Sequence, residues 1–318
     1  MRAAITGAFS YTGRHVAERL LSAGHSVVTL TNHPGGSAIA GHPVEVHPLD
    51  FSDADRLRRA LEGADVLFNT YWVRFDHGDV TLDSAVRNSG ALIDAARAAG
   101  VGRIVHVSIA NPSAGSPSSY YRGKARVEEL VRTSGIPYSI VRPTVVYGRG
   151  DVLVNNIAWI LRHSPIFGMP GDGRYGVQPV FIDDYAQLLV DAGTSTDASL
   201  VVDAVGPDIF EFRDLVGTVR RAVGARCVLI GLPPALALAG AGLFGLVVRD
   251  VVLTSSEIHE LMAGVLVSRG PATCPTSFST WLQAEAATLG RTWASELGRH
   301  FRPLASRRPR IAWRPSGR

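Results

Sequence analysis

The stretch Ile5-Thr6-Gly7-Ala8-Phe9-Ser10-Tyr11-Thr12-Gly13 constrains this chain more than any other. Before it, residues 1–5 read as a short apolar strand; after it, residues 14–21 place Val16, Ala17, Leu20 and Leu21 at helical spacing. Gly24 closes that helix, and residues 26–31 are rich in β-branched side chains, as a second strand would be. Strand, glycine-bearing turn, helix and strand in immediate succession open a dinucleotide-binding βαβ unit. Gly7 can take a positive φ, Gly13 lets the helix pack close to the sheet, and the helix N-terminus offers N–H groups to a pyrophosphate. Ser10 stands where a middle glycine is expected. It either donates to phosphate or marks a pocket that no longer holds a cofactor tightly.

The alternation continues. Apolar strands are expected at 44–47, 65–70, 103–108 and 138–142. Between them lie a helix carrying Leu57, Ala60 and Leu61, capped by Ser52 or Asp53, and helices at 80–99 and 119–132. All-apolar strand cores of this kind belong to a parallel sheet covered on both faces. Further on, 152–163 reads as a helix, 165–176 as turn-rich, 183–190 as a helix, 200–203 as strand-like and 210–223 as a helix. The expected fold is therefore α/β: a Rossmann-type parallel sheet with helices on both faces and a smaller, largely helical C-terminal substrate lobe. We place the dinucleotide-binding core at 1–150, with 178–204 returning to it. The substrate lobe takes 151–177 and 205–301, and 302–318 forms a basic tail. Residues 232–248 carry no charge yet are short for a spanning helix, so a buried or interface helix is expected without stable membrane insertion.

Charge narrows the function classes. The tail holds Arg302, Arg307, Arg308, Arg310, Arg314 and Arg318 and no acid; removing those six from the net +4 leaves −2 on the rest. The body shows no basic face with interleaved aromatics, which argues against a nucleic-acid partner. Cys227 and Cys274 have no metal-ligand spacing and fit a reducing compartment. No basic-plus-apolar leader precedes the first strand, so a cytoplasmic location is expected, and a homodimer is left open.

Lys124 is the only lysine among 32 basic residues. Tyr120 lies four positions before it, on the same face of the expected helix. An ammonium beside a phenol favours the phenolate, so the Tyr120 pKa should fall toward neutrality and fit it for proton transfer. Ser108, at the end of the preceding strand, could hydrogen-bond the same substrate oxygen, although Ser113, Ser116, Ser118 and Ser119 compete for that role. Tyr121 is angularly offset and reads as pocket lining. Beyond the strand at 65–70, Trp72, Arg74 and Phe75 stand where ligands of open α/β sheets bind, and Arg74 points weakly to an anionic substrate. The second strand ends without an acid for the ribose 2′-hydroxyl; Asn32, His33 or Arg14 could accept a 2′-phosphate instead, a slight lean to NADP over NAD.

Several stretches in this order resemble the extended or atypical short-chain dehydrogenase/reductase family, including its NAD-dependent epimerase/dehydratase group. They are TGAFSYTG at 6–13, PLDFSD at 48–53, HVS at 106–108, YYRGK at 120–124, RPTVVYGRG at 142–150 and QPVFIDDYA at 178–186. The chain also resembles the branch containing the nucleotide-binding accessory subunit of respiratory complex I. The resemblance implies a phosphate loop from Gly7 through Phe9, Ser10, Tyr11 and Thr12 to Gly13, with Asp50 near the adenine and Asn69 near the cofactor. It implies Asn88 as a brace of the fold, Ser108, Tyr120 and Lys124 as the catalytic set, and Lys124, Pro143 and Val145 beside the nicotinamide ribose and ring. Beyond residue 190 nothing matches firmly; Trp72, Arg74, Tyr121, Asn156, Trp159 and Tyr175 are the candidate substrate contacts. The implied activity is an NAD(P)-dependent oxidoreductase or epimerase of a small carbonyl or secondary alcohol. The alternative is a non-catalytic NAD(P)-binding regulatory or assembly protein.

Overall fold

The computed structural model describes residues 1–32 and 36–300. His33 and the basic tail therefore lie outside the described residues. Seven strands form one parallel sheet: β1 (Arg2–Thr6), β2 (Ser26–Leu30), β3 (Glu45–His47), β4 (Val66–Asn69), β5 (Arg103–Val107), β6 (Tyr138–Pro143) and β7 (Ser199–Ala204). Their spatial order is β7-β6-β5-β4-β1-β2-β3. The chain reverses direction across the sheet between β1 and β4, which opens a crevice beyond their carboxyl ends.

The alternation of side chains along each strand feeds two cores. From β1, Ala3 and Ile5 pack against α1 (Tyr11–Ser22) and α6 (Ile182–Thr194), with Val16, Leu20, Phe68, Tyr185 and Leu189 fully or almost fully buried. Ala4 faces the opposite side, where Leu57, Leu61, Leu92, Ile93, Val127 and Val131 arrive from α2 (Ala54–Leu61), α3 (Leu82–Ala98) and α4 (Ser119–Arg132). Each large aliphatic side chain so buried contributes about 2 kcal/mol. Helix starts follow the expected chemistry. Asp53 caps α2 by accepting the Arg56 N–H at 2.9 Å, and Ser118 caps α4. The parallel sheet with helices on both faces is thus found as expected.

A third core builds the second lobe around α5 (Leu153–His163), α7 (Phe212–Ala222) and α10 (Phe278–Glu285), with Tyr147, Met169 and Val216 buried among them. Here the structure departs from the turn-rich reading of 165–176. Ile166–Pro170 is a strand, paired in parallel with Val228–Leu232, a strand equally unforeseen. Gly168 inside the run and the prolines at its ends disguise it. The space a Cβ at Gly168 would take is filled by Leu232 Cδ1, 2.6 Å from that position. The uncharged stretch forms α8 (Pro234–Val248), followed by α9 (Ser255–Met262) and α11 (Glu296–His300). Only Ala237 and Gly245 of α8 are buried, so it is a surface helix and not a core one. No helix among the described residues is long and apolar enough to cross a membrane.

Candidate functional site at the carboxyl ends of the strands

At the β1 exit, Gly7 has φ +72°, the left-handed region in which glycine carries no Cβ penalty. Its N–H donates to Leu30 O, and the next N–H, of Ala8, donates to Thr29 Oγ1 at 2.9 Å. A Cβ on Gly13 would stand 2.2 Å from Gly7 O, so the helix approaches the turn as closely as backbone allows. Ser10 is the N-cap of α1, accepting the Gly13 N–H at 3.3 Å, while its own carbonyl accepts Arg14 N–H. The Tyr11 and Thr12 N–H groups find no acceptor among the described residues, and no acid sits in the first turn. Two free amides at the positive end of a helix fit a pyrophosphate. Ser10 thus caps the helix start as an acceptor, and its hydroxyl proton stays available.

Across the crevice, Thr6 pins β1 to β4. Its Oγ1 accepts Thr70 N–H at 2.8 Å and Tyr71 N–H at 3.0 Å, and Thr70 Oγ1 donates back to Thr6 O. Asn69 is fully buried: its Oδ1 accepts Tyr71 N–H, which turns Nδ2 toward His106 Nδ1 at 3.3 Å. His106 is buried and held far below its ordinary pKa by desolvation and by Lys124. Asn88 donates to the Tyr71 hydroxyl at 2.9 Å, joining α3 to the loop after β4. Toward the β2 side, Asn32 is exposed just past the strand, and Arg14 pairs with Glu18. Asp50 Oδ1 accepts both the N–H and the hydroxyl of Ser52, which lowers its pKa.

The chemical end differs from expectation in one respect. Lys124 is 2% exposed, donates to Val107 O at 2.9 Å and lies 4.5 Å from the Trp72 ring centroid. Burial brings its pKa down to about 7. Its ammonium is engaged by a carbonyl and an aromatic face, and Tyr120 does not gain from it. The Tyr120 pKa rises instead, because of desolvation and then the carboxylates Glu260 and Glu257; Arg74 opposes them. The Tyr120 and Trp72 rings are perpendicular, with centroids 5.8 Å apart. Tyr121 is 2% exposed, and the hydroxyls of both Tyr121 and Tyr185 are buried without a hydrogen-bond partner among the described residues.

Ser108 is buried and donates to Glu128 Oε1 at 2.6 Å. Glu128 in turn receives Arg142 through both oxygens, Nε at 2.8 Å and Nη2 at 2.6 Å. Ser108 is therefore tied into an ion pair behind the strand ends. Arg74 meets Glu257 and, at 3.6 Å, Glu296, so its charge is balanced within the lobe. Helix α9 closes over this end: Ser118 Oγ donates to Glu260, and Asn111 Nδ2 holds Val265 O and Val267 O at 2.9 and 2.8 Å. Pro143 O accepts Ala110 N–H, and Val145 pairs with Pro179. The remaining candidates are engaged within the lobe. Asn156 clasps Ala294 by both ends of its amide, Trp159 stacks on His163, and the Tyr175 hydroxyl donates to Pro170 O. Sequence reasoning missed Thr6, Glu128, Glu257 and Glu260. The Thr254-x-x-Glu257 capping box was a legible signal for α9, but nothing in it announces that α9 reaches Tyr120.

Residues 7–152 match a family model described as NAD(P)H-binding. An uncharacterized protein of Mycobacterium tuberculosis is 31% identical over 238 residues, 73% of this chain and 24% of the relative. The chain thus spans about a quarter of that relative's length. The (4-alkanoyl-5-oxo-2,5-dihydrofuran-3-yl)methyl phosphate reductase of Streptomyces griseus is 31% identical over 227 residues, covering 69% of this chain and 73% of the reductase. The mitochondrial NADH dehydrogenase [ubiquinone] 1 alpha subcomplex subunit 9 of Arabidopsis thaliana is 25% identical, over 67% of this chain and 56% of that subunit. Among solved structures, an NADPH-dependent quinone oxidoreductase of Escherichia coli complexed with NADPH superposes with TM-score 0.71 at 20% identity, over 89% of this chain and 98% of that one. A protein solved with UDP-glucose and NAD gives 0.66 at 17% identity, over 90% and 97%. Both nicotinamide cofactors thus occur on this fold, and the lean to NADP finds no support.

Proposed function

Because this chain belongs to the extended Rossmann-fold NAD(P)-binding oxidoreductase and epimerase family, we propose that it reduces a small carbonyl compound with NAD(P)H, Tyr120 giving the proton. When bound, NAD(P)H supplies the hydride. The Tyr11 and Thr12 amides would hold the pyrophosphate, Asn32 and Asp50 the adenosine end, and Lys124, Pro143 and Val145 the nicotinamide side. The observation that carries the reading is geometric: Tyr120 lies one turn before the buried Lys124 on α4, and both pack on the Trp72 ring beyond the strand ends. A phenol kept neutral is a proton donor to a developing alkoxide and a poor base. Ser108, whose hydroxyl proton goes to Glu128, positions the strand end.

Three carboxylates, Glu257, Glu260 and Glu296, face Tyr120 against one arginine. This balance supports a neutral or cationic substrate and counts against the anionic one that Arg74 suggested. The names of the quinone oxidoreductase and the dihydrofuranyl phosphate reductase support a conjugated carbonyl as the substrate class, without the phosphate. The similarity to a subunit of the plant NADH dehydrogenase supports a second reading, a binding protein that acts as part of an assembly.

The test is isotopic. The chain is incubated with NADPH or NADH deuterated at C4 and a panel of quinones and conjugated ketones. Deuterium retained in a reduced product supports the reductase. Label-free interconversion of substrate epimers would point to epimerisation. Tight cofactor binding with no oxidation across the panel would point to the binding protein.

A further inference from the structure

The second lobe holds a cavity that the proposed reaction does not use. The carboxyl ends of α5 and α7 border it, together with the start of the strand Val228–Leu232 and the turns after α10 that carry Arg291. Its volume is about 770 Å³, the size of a small-molecule site. Helix α5 separates it from the cofactor crevice. At the amino end of α5, Val154 N–H donates to Asp151 Oδ1 at 2.7 Å, in the turn from Gly148 that meets Tyr11. The cavity lies at the other end of that helix, about 16 Å away.

Arg162, His163, Arg226 and Arg291 line the cavity, and among the described residues no carboxylate does. Other arginines of this lobe meet acids, as Arg74 meets Glu257 and Arg149 meets Glu285. None of the three here has an ion pair among the described residues. Arg162 donates to Leu289 O and Ala286 O at 2.9 and 2.7 Å, and Arg291 Nε donates to Ala287 O at 2.9 Å. These bonds fix two side chains in place. They leave Nη1 of Arg162, both terminal nitrogens of Arg291 and the whole Arg226 guanidinium without an acceptor among the described residues. Burial and then the Arg291 charge lower the Arg162 pKa, so these two guanidiniums stand close enough to repel. The last carbonyls of α7 are already engaged: those of Val219, Arg220 and Arg221 accept the N–H groups of Val223, Ala225 and Gly224. His163 stacks on Trp159 and donates Nδ1–H to Trp159 O at 2.8 Å, which leaves Nε2 unengaged among the described residues.

We propose that this cavity binds a small phosphate monoester, at a site separate from the cofactor crevice. The planar guanidinium presents paired N–H donors that match phosphate oxygens. Three cations call for more than one negative charge, which a phosphoryl group carries and a single carboxylate does not. Seated among Arg162, Arg226 and Arg291, the phosphoryl group relieves their mutual repulsion. The cavity is far larger than a free ion needs, and Leu161, Pro165 and Val228 give an organic part an apolar wall.

The test is calorimetric titration of the full chain, in excess NADPH, with phenyl phosphate, inorganic phosphate and sulfate. The expected result is that phenyl phosphate binds, and more tightly than either inorganic anion. Arg226→Gln/Arg291→Gln should weaken that binding by more than about tenfold. The same variant should keep NADPH affinity within about twofold and, without ligand, melt no lower than wild type, because it removes repulsion. Wild-type protein that ignores phenyl phosphate overturns the proposal. So does binding that appears only without NADPH, which would assign the phosphate to the cofactor turn. Sulfate or inorganic phosphate bound as tightly as phenyl phosphate would mean an adventitious ion only, and also overturns it. A lower melting temperature of the variant with unchanged phenyl phosphate binding would assign the arginines to capping the helix ends instead.

Discussion

Replacing Glu128 by glutamine tests how the strand ends behind the site are held. The Glu128 side chain is 5% exposed, and its two oxygens receive Arg142 Nε, Arg142 Nη2 and Ser108 Oγ at 2.8, 2.6 and 2.6 Å. Glutamine removes the charge and turns an NH2 group toward one of these donors. Breaking a buried ion pair from one side costs about 3–5 kcal/mol. Arg142 retains some access to water and one amide oxygen remains, so Glu128→Gln should cost about 3 kcal/mol, the lower end of that range. Urea unfolding at neutral pH reads this directly. The sign with pH follows from the lowered carboxyl pKa of Glu128. Its contribution is present above the unfolded carboxylate pKa of about 4 and is lost as pH falls through the lower folded value. The wild-type advantage should therefore shrink in acid. A loss under about 1 kcal/mol, or a gap that widens in acid, refutes the argument. Ser108→Ala should cost about 1.5–3 kcal/mol, as expected of a hydrogen bond to a charged group, and should lower turnover only modestly.

Gly13→Ala would put a Cβ 2.2 Å from Gly7 O, and neither backbone can yield. Nicotinamide fluorescence titration should show NADPH affinity down more than about tenfold, with a lower melting temperature. Ser10→Gly removes the cap but keeps the turn; it should cost a few tenths of a kcal/mol and leave affinity nearly unchanged. A large loss of affinity there would mean that the Ser10 hydroxyl binds phosphate. Asp151 is buried, with Oδ2 lacking a partner among the described residues, and burial raises its pKa to about 7. Its folded pKa exceeds the unfolded one, so wild-type stability should decline between pH about 4 and about 7. Melting curves of Asp151→Asn should be flatter across that window.

What was legible in the sequence was periodic or local. The βαβ opening, the parallel sheet and the cap of α2 follow from side-chain spacing and turn chemistry, which act within one or two elements, whereas Ser10 and Ser118 were not read as caps. The motif Tyr120-x-x-x-Lys124 put both residues on one helix, as found in α4. It could not say that Lys124 would bond Val107 O beneath Trp72, nor that Glu257 and Glu260 would arrive from α9, because those contacts join residues far apart in the chain. The direction of the Tyr120 pKa shift therefore came out opposite to the local expectation. Ile166–Pro170 was hidden for a related reason: its partner strand, Val228–Leu232, lies some sixty residues on.

The central claim is that Tyr120 is the proton donor of a reductase whose cofactor rests on the turn from Gly7 to Gly13. Tyr120→Phe, assayed with saturating NAD(P)H and any carbonyl that the isotopic screen identifies, tests it most directly. The expected result is kcat down about a hundredfold or more, with NAD(P)H affinity within about twofold of wild type, since the proposed pyrophosphate contacts lie on α1. Wild-type turnover in Tyr120→Phe, or loss of cofactor binding with it, would contradict the account.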